Sequence, residues 1–233
     1  MMKISILTLF PEMFHGPFGY SIVKRAIDKK LVEIDLINIR GFGIGKHKVV
    51  DDKPYGGGLG MILRVDVLEK AINNTRDNRL SPKKQRVVLL DPQGKTFNQK
   101  RAEEFSNLTH LILVCGHYEG IDSRIEYFVD EKISIGDFIV TGGEIPAMLV
   151  ADATVRLIKG NLDKEVTNIE SFSPCLPAGR AFLEYPQYTR PKVYKSYSVP
   201  ELLLSGNHKK IGEWRKTTAL KHTMSHRPDL IKD

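Results

Sequence analysis

The chain has 233 residues, 41% of them hydrophobic and 27% charged. That composition suits a globular protein with a real core and excludes a disordered or fibrous chain. No apolar run approaches the ~20 residues that a bilayer-spanning helix needs. The formal net charge is +7, and its distribution says more than its size. Residues 190–233 hold ten Lys/Arg against four Asp/Glu, a balance of +6, whereas residues 1–189 hold 25 against 24.

The opening MMKISILTLF has one lysine and a short apolar run before Pro11 and Glu12. It lacks the small-residue cleavage site of a signal peptide and reads as a first strand. Apolar runs bounded by turn residues then recur. KISILTL (3–9), LVEIDLINI (31–39), RVVLL (86–90), HLILVC (110–115) and ISIGDFIV (133–140) are expected as strands. Helical patterns near 18–30, 65–75, 97–107, 122–130 and 144–159 separate or follow them. Such alternation predicts an α/β domain over residues 1–160, with a mainly parallel, buried sheet and helices on both faces. In these sheets ligands bind at the carboxyl ends of the strands, which is where the glycines of this chain gather.

Residues 161–175 lose periodicity and are expected as an interdomain linker. Residues 176–233 are expected as a small, basic, α-helical domain, with helices at 200–204 and 208–222 and Asn207 as the N-cap of the second. A basic segment that also carries His208, His222, His226 and Trp214 suits a polyanion such as nucleic acid; a solvated helical face with surplus lysines would look similar. Cys115 and Cys175 have no metal-ligand spacing and form no framework. Neither a metal site nor a disulfide is expected, and a reducing, cytoplasmic setting fits.

Three loops stand out. The first is Pro54-Tyr55-Gly56-Gly57-Gly58-Leu59-Gly60-Met61, preceded by Asp51 and Asp52. Four glycines in five positions cost chain entropy, and they permit close approach of backbone to a ligand, or motion. Nearby Gly41-Phe42-Gly43-Ile44-Gly45-Lys46 imitates a phosphate-binding loop, but Arg40 stands where its first glycine belongs and His47 where Ser/Thr belongs. A nucleotide-hydrolysing switch is therefore rejected. The second loop, Gly116-His117-Tyr118-Glu119-Gly120-Ile121-Asp122, follows a buried strand. Its Asp122 has an ordinary use as a cap for the next helix; Glu119 has none. The third, Thr141-Gly142-Gly143-Glu144, leads from strand to helix. A smaller turn, Asp91-Pro92-Gln93-Gly94, follows the third strand. Several glycine turns at strand ends could form one pocket whose exposed amides and carbonyls suit an adenine and a ribose.

These loops, in this order, resemble those of the bacterial tRNA (guanine-N1)-methyltransferases of the SPOUT superfamily. The likeness begins at Leu9-Phe10-Pro11-Glu12-Met13-Phe14 and takes in Pro54–Met61, Gly116–Asp122 and Ser134–Ala147. It continues through Tyr188-Thr189-Arg190-Pro191 and Leu203-Leu204-Ser205-Gly206-Asn207-His208 to Trp214-Arg215. The resemblance implies methylation of N1 of the guanosine just 3′ of the tRNA anticodon, S-adenosylmethionine as cofactor, and possible use of Mg²⁺. It also implies a homodimer with its active site at the subunit interface, and a trefoil knot at the end of the catalytic domain. Periodicity could not have revealed the knot, since chains rarely thread loops. Carried over position by position, the cofactor contacts would be Leu89, Leu90, Pro92, Gly116, Tyr118, Glu119, Ile135, Gly136, Phe138, Val140, Gly142, Gly143 and Pro146. Asp51, Asp52, Tyr55, Gly56, Gly57 and Gly58 would lie on the substrate side and receive the flipped guanine.

The chemistry needs a base for the N1 proton and positive charge near O6. The resemblance assigns these roles to an aspartate and an arginine. The arginine matches Arg156. The aspartate is replaced: the family's Asp-Ser-Phe reads Glu170-Ser171-Phe172 here, which makes Glu170 the candidate base. Two alternatives stay open: a SPOUT methyltransferase acting on another RNA, and a non-catalytic RNA-binding protein that keeps the fold.

Overall fold

A computed structural model describes residues 1–173 and 182–231 and divides the chain into two compact units, Met1–Leu162 and Asp163–Asp233. Cys175 and the expected domain boundary at 175/176 lie outside the described residues.

In the first unit, β1 (Met2–Thr8) is followed by a 3₁₀ turn at Pro11–Phe14, by α1 (His15–Phe18) and α2 (Ser21–Asp28), and by β2 (Val32–Asn38). A short antiparallel pair, β3 (Asp51–Asp52) and β4 (Ile62–Leu63), brackets the first glycine loop. Then come α3 (Val65–Thr75), β5 (Gln85–Thr96), α4 (Gln99–Ser106), β6 (His110–Cys115), β7 (Glu131–Ser134) and α5 (Glu144–Val155). The five long strands form one sheet in the order β2-β1-β6-β5-β7, and every pairing in it is parallel.

The core follows the two-residue period of the strands. Ile4 and Ile6, Val88 and Leu90, and Leu111 and Leu113 point to one face, where α2, α4 and α5 bring Val23, Ala26, Phe105, Ala147, Val150 and Val155. Leu7, Val87, Leu89, Ile112 and Val114 point to the other, against Val67, Leu68, Ala71 and Ile72 of α3. Covered on both faces, β6 is buried along its whole length, so it reads as an unbroken apolar run. Each such Leu or Ile contributes roughly 1.5–3 kcal/mol by leaving water.

The polar groups of this core are matched. Ser5 Oγ lies 2.9 Å from His110 Nε2 and His110 Nδ1 lies 3.0 Å from Gln85 Oε1, which also accepts from the backbone N–H of Asp77 at 2.8 Å. One neutral imidazole tautomer satisfies the chain of bonds: Nδ1–H donates to Gln85 and Nε2 accepts from Ser5. Burial holds the His110 pKa below its ordinary value, in keeping with a neutral ring.

Several sequence expectations need correction. The strand expected over 133–140 ends at Ser134, because Gly136 takes φ +143° and breaks the pairing. The turn expected at 91–94 is part of β5, which bulges between Leu90 and Lys95 and resumes pairing with β7. The helix expected at 122–130 is only a 3₁₀ turn, Ser123–Tyr127, although Asp122 does cap it by accepting from the Arg124 N–H. The 18–30 helix is split around Gly19, and the 144–159 helix stops at Val155.

The second unit opens with α6 (Lys164–Ile169), inside the stretch expected as an irregular linker. A hairpin, β8 (Val193–Tyr194) and β9 (Tyr197–Ser198), precedes α7 (Glu201–Leu204) and α8 (His208–His226). Asn207 caps α8: its side chain accepts from the Lys210 N–H at 3.1 Å. Thr223 is buried on α8 and its Oγ1 accepts from the Leu183 N–H at 2.9 Å. Arg215 sits 4.8 Å over the ring of Tyr185, whose edge meets Trp214.

Candidate active site

The bulged middle of β5 and the carboxyl ends of β6 and β7 surround a cavity of about 450 Å³, within the usual range for a small-molecule site. The middle of β5, at and before its bulge, supplies Leu89, Leu90 and Pro92, and the loop after β6 supplies Gly116, Tyr118 and Glu119. The chain leaving β7 supplies Ile135, Gly136, Phe138 and Val140, and the entry to α5 supplies Gly142, Gly143 and Pro146. All thirteen residues carried over by resemblance thus line a single cavity. The apolar side chains offer walls for a flat ring, and Glu119 offers a carboxylate for hydroxyl or amino groups. Lys132, also on the wall, is held by Glu126 and stands 3.9 Å from Asp91.

The glycines are explained by close approach. Gly143 N–H donates to Gly116 O at 2.8 Å. A Cβ on Gly143 would fall 2.6 Å from Cys115 Cα and 2.7 Å from Gly116 N. One on Gly142 would fall 2.4 Å from Glu144 Oε2 and 2.7 Å from His117 Nδ1. Backbone does not tolerate such distances, so Gly143 must be bare for the two loops to meet, while a side chain at Gly142 would displace the Glu144 and His117 side chains.

Beneath the cavity lies a polar cluster that sequence reasoning missed. Glu144, in the first turn of α5, is 2% exposed, and its Oε1 accepts from Thr8 Oγ1 at 2.7 Å. Thr8 Oγ1 in turn accepts from the Phe10 N–H. His117 Nδ1 stands 3.8 Å from Glu144 Oε2; it is buried and has no hydrogen-bond partner among the described residues. Phe10 and Tyr118 flank the imidazole at 4.8 and 5.0 Å. Burial, with the Glu144 charge adding to it, pushes the Cys115 thiol well above its ordinary pKa. The available signal was a carboxylate directly after Gly-Gly, at the head of a helix whose next seven residues are apolar.

The residues expected on the substrate side are placed beside this cavity, not in it. Asp51 and Asp52 form β3. Gly56, Gly57, Gly58 and Gly60 all have positive φ, at +83°, +81°, +142° and +76°, so the loop needs glycine for its backbone path. Tyr55 is 99% exposed at its start. Asp52 and Tyr55 line a second cavity of about 380 Å³ together with Arg64, Asp66, Asp122 and Arg124. Here the arginines hold the carboxyls of Asp66 and Asp122 below their ordinary range. The first and second glycine loops are joined by backbone bonds, Glu119 N–H to Met61 O at 3.1 Å and Leu63 N–H to Gly120 O at 2.9 Å. A Cβ on Gly60 would strike Glu119 Cγ at 2.3 Å.

Arg156 is half-buried at the C-cap of α5, in the first unit. Glu170 is half-buried at the C-cap of α6, in the second. Among the described residues no group of three or more His, Cys, Asp or Glu could hold a metal ion, so the donor set does not support the expectation of Mg²⁺. Among them also, no helix is long and apolar enough to cross a membrane.

Known proteins are similar to this chain over nearly its whole length. A family described as tRNA (Guanine-1)-methyltransferase TrmD matches residues 2–233. A protein of Carboxydothermus hydrogenoformans named tRNA (guanine-N(1)-)-methyltransferase is 52% identical over 233 residues, covering 99% of this chain and 88% of its own. Proteins of the same name from Dictyoglomus turgidum and Bacillus subtilis are each 49% identical, covering all of this chain and 91% and 93% of theirs. The chain belongs to the tRNA (guanine-N1)-methyltransferase family.

Proposed function

We propose that the protein transfers a methyl group from S-adenosylmethionine to N1 of the guanosine just 3′ of the anticodon in tRNA. The observation that carries this reading is the convergence of thirteen residues from four chain segments on one cavity of about 450 Å³, with glycines where backbone must be bare. When bound, S-adenosylmethionine supplies an electrophilic methyl on a sulfonium sulfur. The residues of the chain do the rest. Leu89, Leu90, Ile135 and Pro146 are suited to the adenine, and Glu119 to polar groups of the ribose or amino-acid end.

Guanine N1 carries a proton, so N–CH₃ bond formation requires its removal. Glu170 accepts that proton, which leaves the N–H electron pair on N1 for bonding to the methyl that S-adenosylmethionine would supply. Negative charge developing toward O6 is stabilised by Arg156. Glutamate for the family's aspartate keeps the carboxylate, with a reference pKa only about 0.4 units higher. Resemblance to the family supports a homodimer in which these two residues meet across the subunit interface. The segment holding the second and third glycine loops would be the trefoil knot. The basic second unit would hold the tRNA backbone, and the cytoplasm is the expected setting.

The test is transfer of labelled methyl to tRNA transcripts with and without that guanosine, followed by identification of the modified base. Transfer only to the first, as N1-methylguanine, is expected. Transfer to both, or to neither, overturns the reading. Glu170→Gln should lose at least about 10²-fold in turnover while still binding cofactor and tRNA.

A further inference from the structure

The β8–β9 hairpin is closed by Lys195 and Ser196, and Tyr194 stands directly opposite Tyr197. Opposed residues share a face, with Cβ atoms about 5 Å apart, so both side chains project from one face of the hairpin. They are 62% and 76% exposed. An isolated two-stranded hairpin has little core of its own, and nothing in its folding calls for two aromatic rings left in water. Its charge is one-sided: residues 185–200 contain Arg190, Lys192 and Lys195 and no Asp or Glu. Lys195 takes φ +53°, a left-handed conformation in which glycine or asparagine would be less strained. Its Nζ lies 5.6 Å from the centre of the Tyr194 ring. A two-residue hairpin loop itself requires a left-handed first residue, so the turn accounts for that φ, and a lysine there sets an exposed cation beside the ring.

We propose that the 193–198 hairpin is a stacking platform for unpaired bases of the tRNA anticodon loop. Tyr194 and Tyr197 take the base faces, and Arg190, Lys192 and Lys195 take the adjoining phosphates. Single-stranded RNA presents flat apolar faces along a polyanionic backbone, the complement of this hairpin face. An acidic protein would satisfy the cations and leave the ring pair unexplained. The proposal rests on the reading that tRNA is the substrate.

The full-length protein, its Y194A/Y197A double variant and its Y194F/Y197F double variant are compared by fluorescence anisotropy. The ligands are an anticodon stem–loop RNA and a blunt RNA duplex with the same number of phosphates. The alanine variant is expected to bind the stem–loop at least about tenfold more weakly, with duplex binding unchanged. The phenylalanine variant should match the wild type on both. Equal weakening on the duplex, or no weakening on the stem–loop, overturns the platform. So does a fall in molar mass of the alanine variant in sedimentation, which would assign the rings to a contact between two copies of the chain. If the wild type neither binds nor methylates tRNA, the functional reading falls and takes this proposal with it. If the wild type does both and the alanine variant binds the stem–loop equally well, only the platform falls.

Discussion

Thr8, at the end of β1, donates a 2.7 Å hydrogen bond to Glu144, at the head of α5, across 136 residues of sequence. The bond ties the first strand to the helix that floors the cavity. Thr8→Val keeps the shape of the side chain and removes its hydroxyl, stranding both a buried carboxylate oxygen and the Phe10 N–H. Unsatisfied buried groups cost about 1–3 kcal/mol each, and charged ones more. The melting temperature should therefore fall by about 5 °C or more for a chain of this size, while Thr8→Ser should restore most of it. A Thr8→Val protein that melts with the wild type would show that Glu144 does not depend on this contact.

Gly143→Ala should abolish tight cofactor binding. The added methyl would lie 2.6 Å from Cys115 Cα and would have to part the Gly143–Gly116 backbone bond. A loss of at least about 10²-fold in affinity, roughly 3 kcal/mol, is the expected calorimetric result. Gly41→Ala, where a Cβ meets nothing within 4 Å, is the control and should bind normally.

The His110 network predicts a pH dependence of stability. Burial lowers the folded-state pKa of His110 below the ordinary 6.5, so below that pH the unfolded chain binds a proton that the folded chain resists. The stabilisation is complete above pH 6.5 and is lost as pH falls from there toward the folded-state pKa. Melting curves between pH 8 and 5 should show this decline for the wild type and a shallower one for His110→Gln. Identical slopes would remove His110 as the cause.

Asn207→Ala should destabilise the second unit by about 1 kcal/mol through loss of the α8 cap, and Asn207→Asp should be nearly neutral. Denaturant titration followed by the fluorescence of Trp214, which lies on α8, reads that unit directly. A larger loss on Asn207→Asp than on Asn207→Ala would contradict capping as the role.

Much of the fold was legible because the strands are buried on both faces. The run 110–115 and the helix 65–75 match β6 and α3 residue for residue. The failures have local causes. Apolar character continues through Phe138, Ile139 and Val140 after β7 has ended, because those side chains serve the cavity and its rim and not the sheet. Asp91-Pro92-Gln93-Gly94 has the composition of a turn, yet pairing on both sides of it carries the strand through as a bulge. Gly94 is needed there for another reason: a Cβ would lie 2.4 Å from Ile133 N. The cavity wall was recoverable only by resemblance, since no periodicity identifies which residues face a pocket. The Thr8–Glu144–His117 cluster was hidden for another reason. Its members come from three distant segments, and nothing in the sequence says that Glu144 of one glycine loop meets Thr8 at the end of a strand and His117 of another glycine loop.

The backbone bond between Gly143 and Gly116 has a consequence for how this site could be altered. Neither loop owns its conformation, because each is the surface against which the other is moulded. Grafting one loop from a relative with a different ligand preference would present it with a foreign template. An exchangeable cassette must hold more than the stretch from Cys115 to Pro146, because the second glycine loop is also bonded to the first through Met61 and Leu63. Selection for a new ligand would therefore proceed more readily through the side chains of the cavity wall than by exchanging either loop.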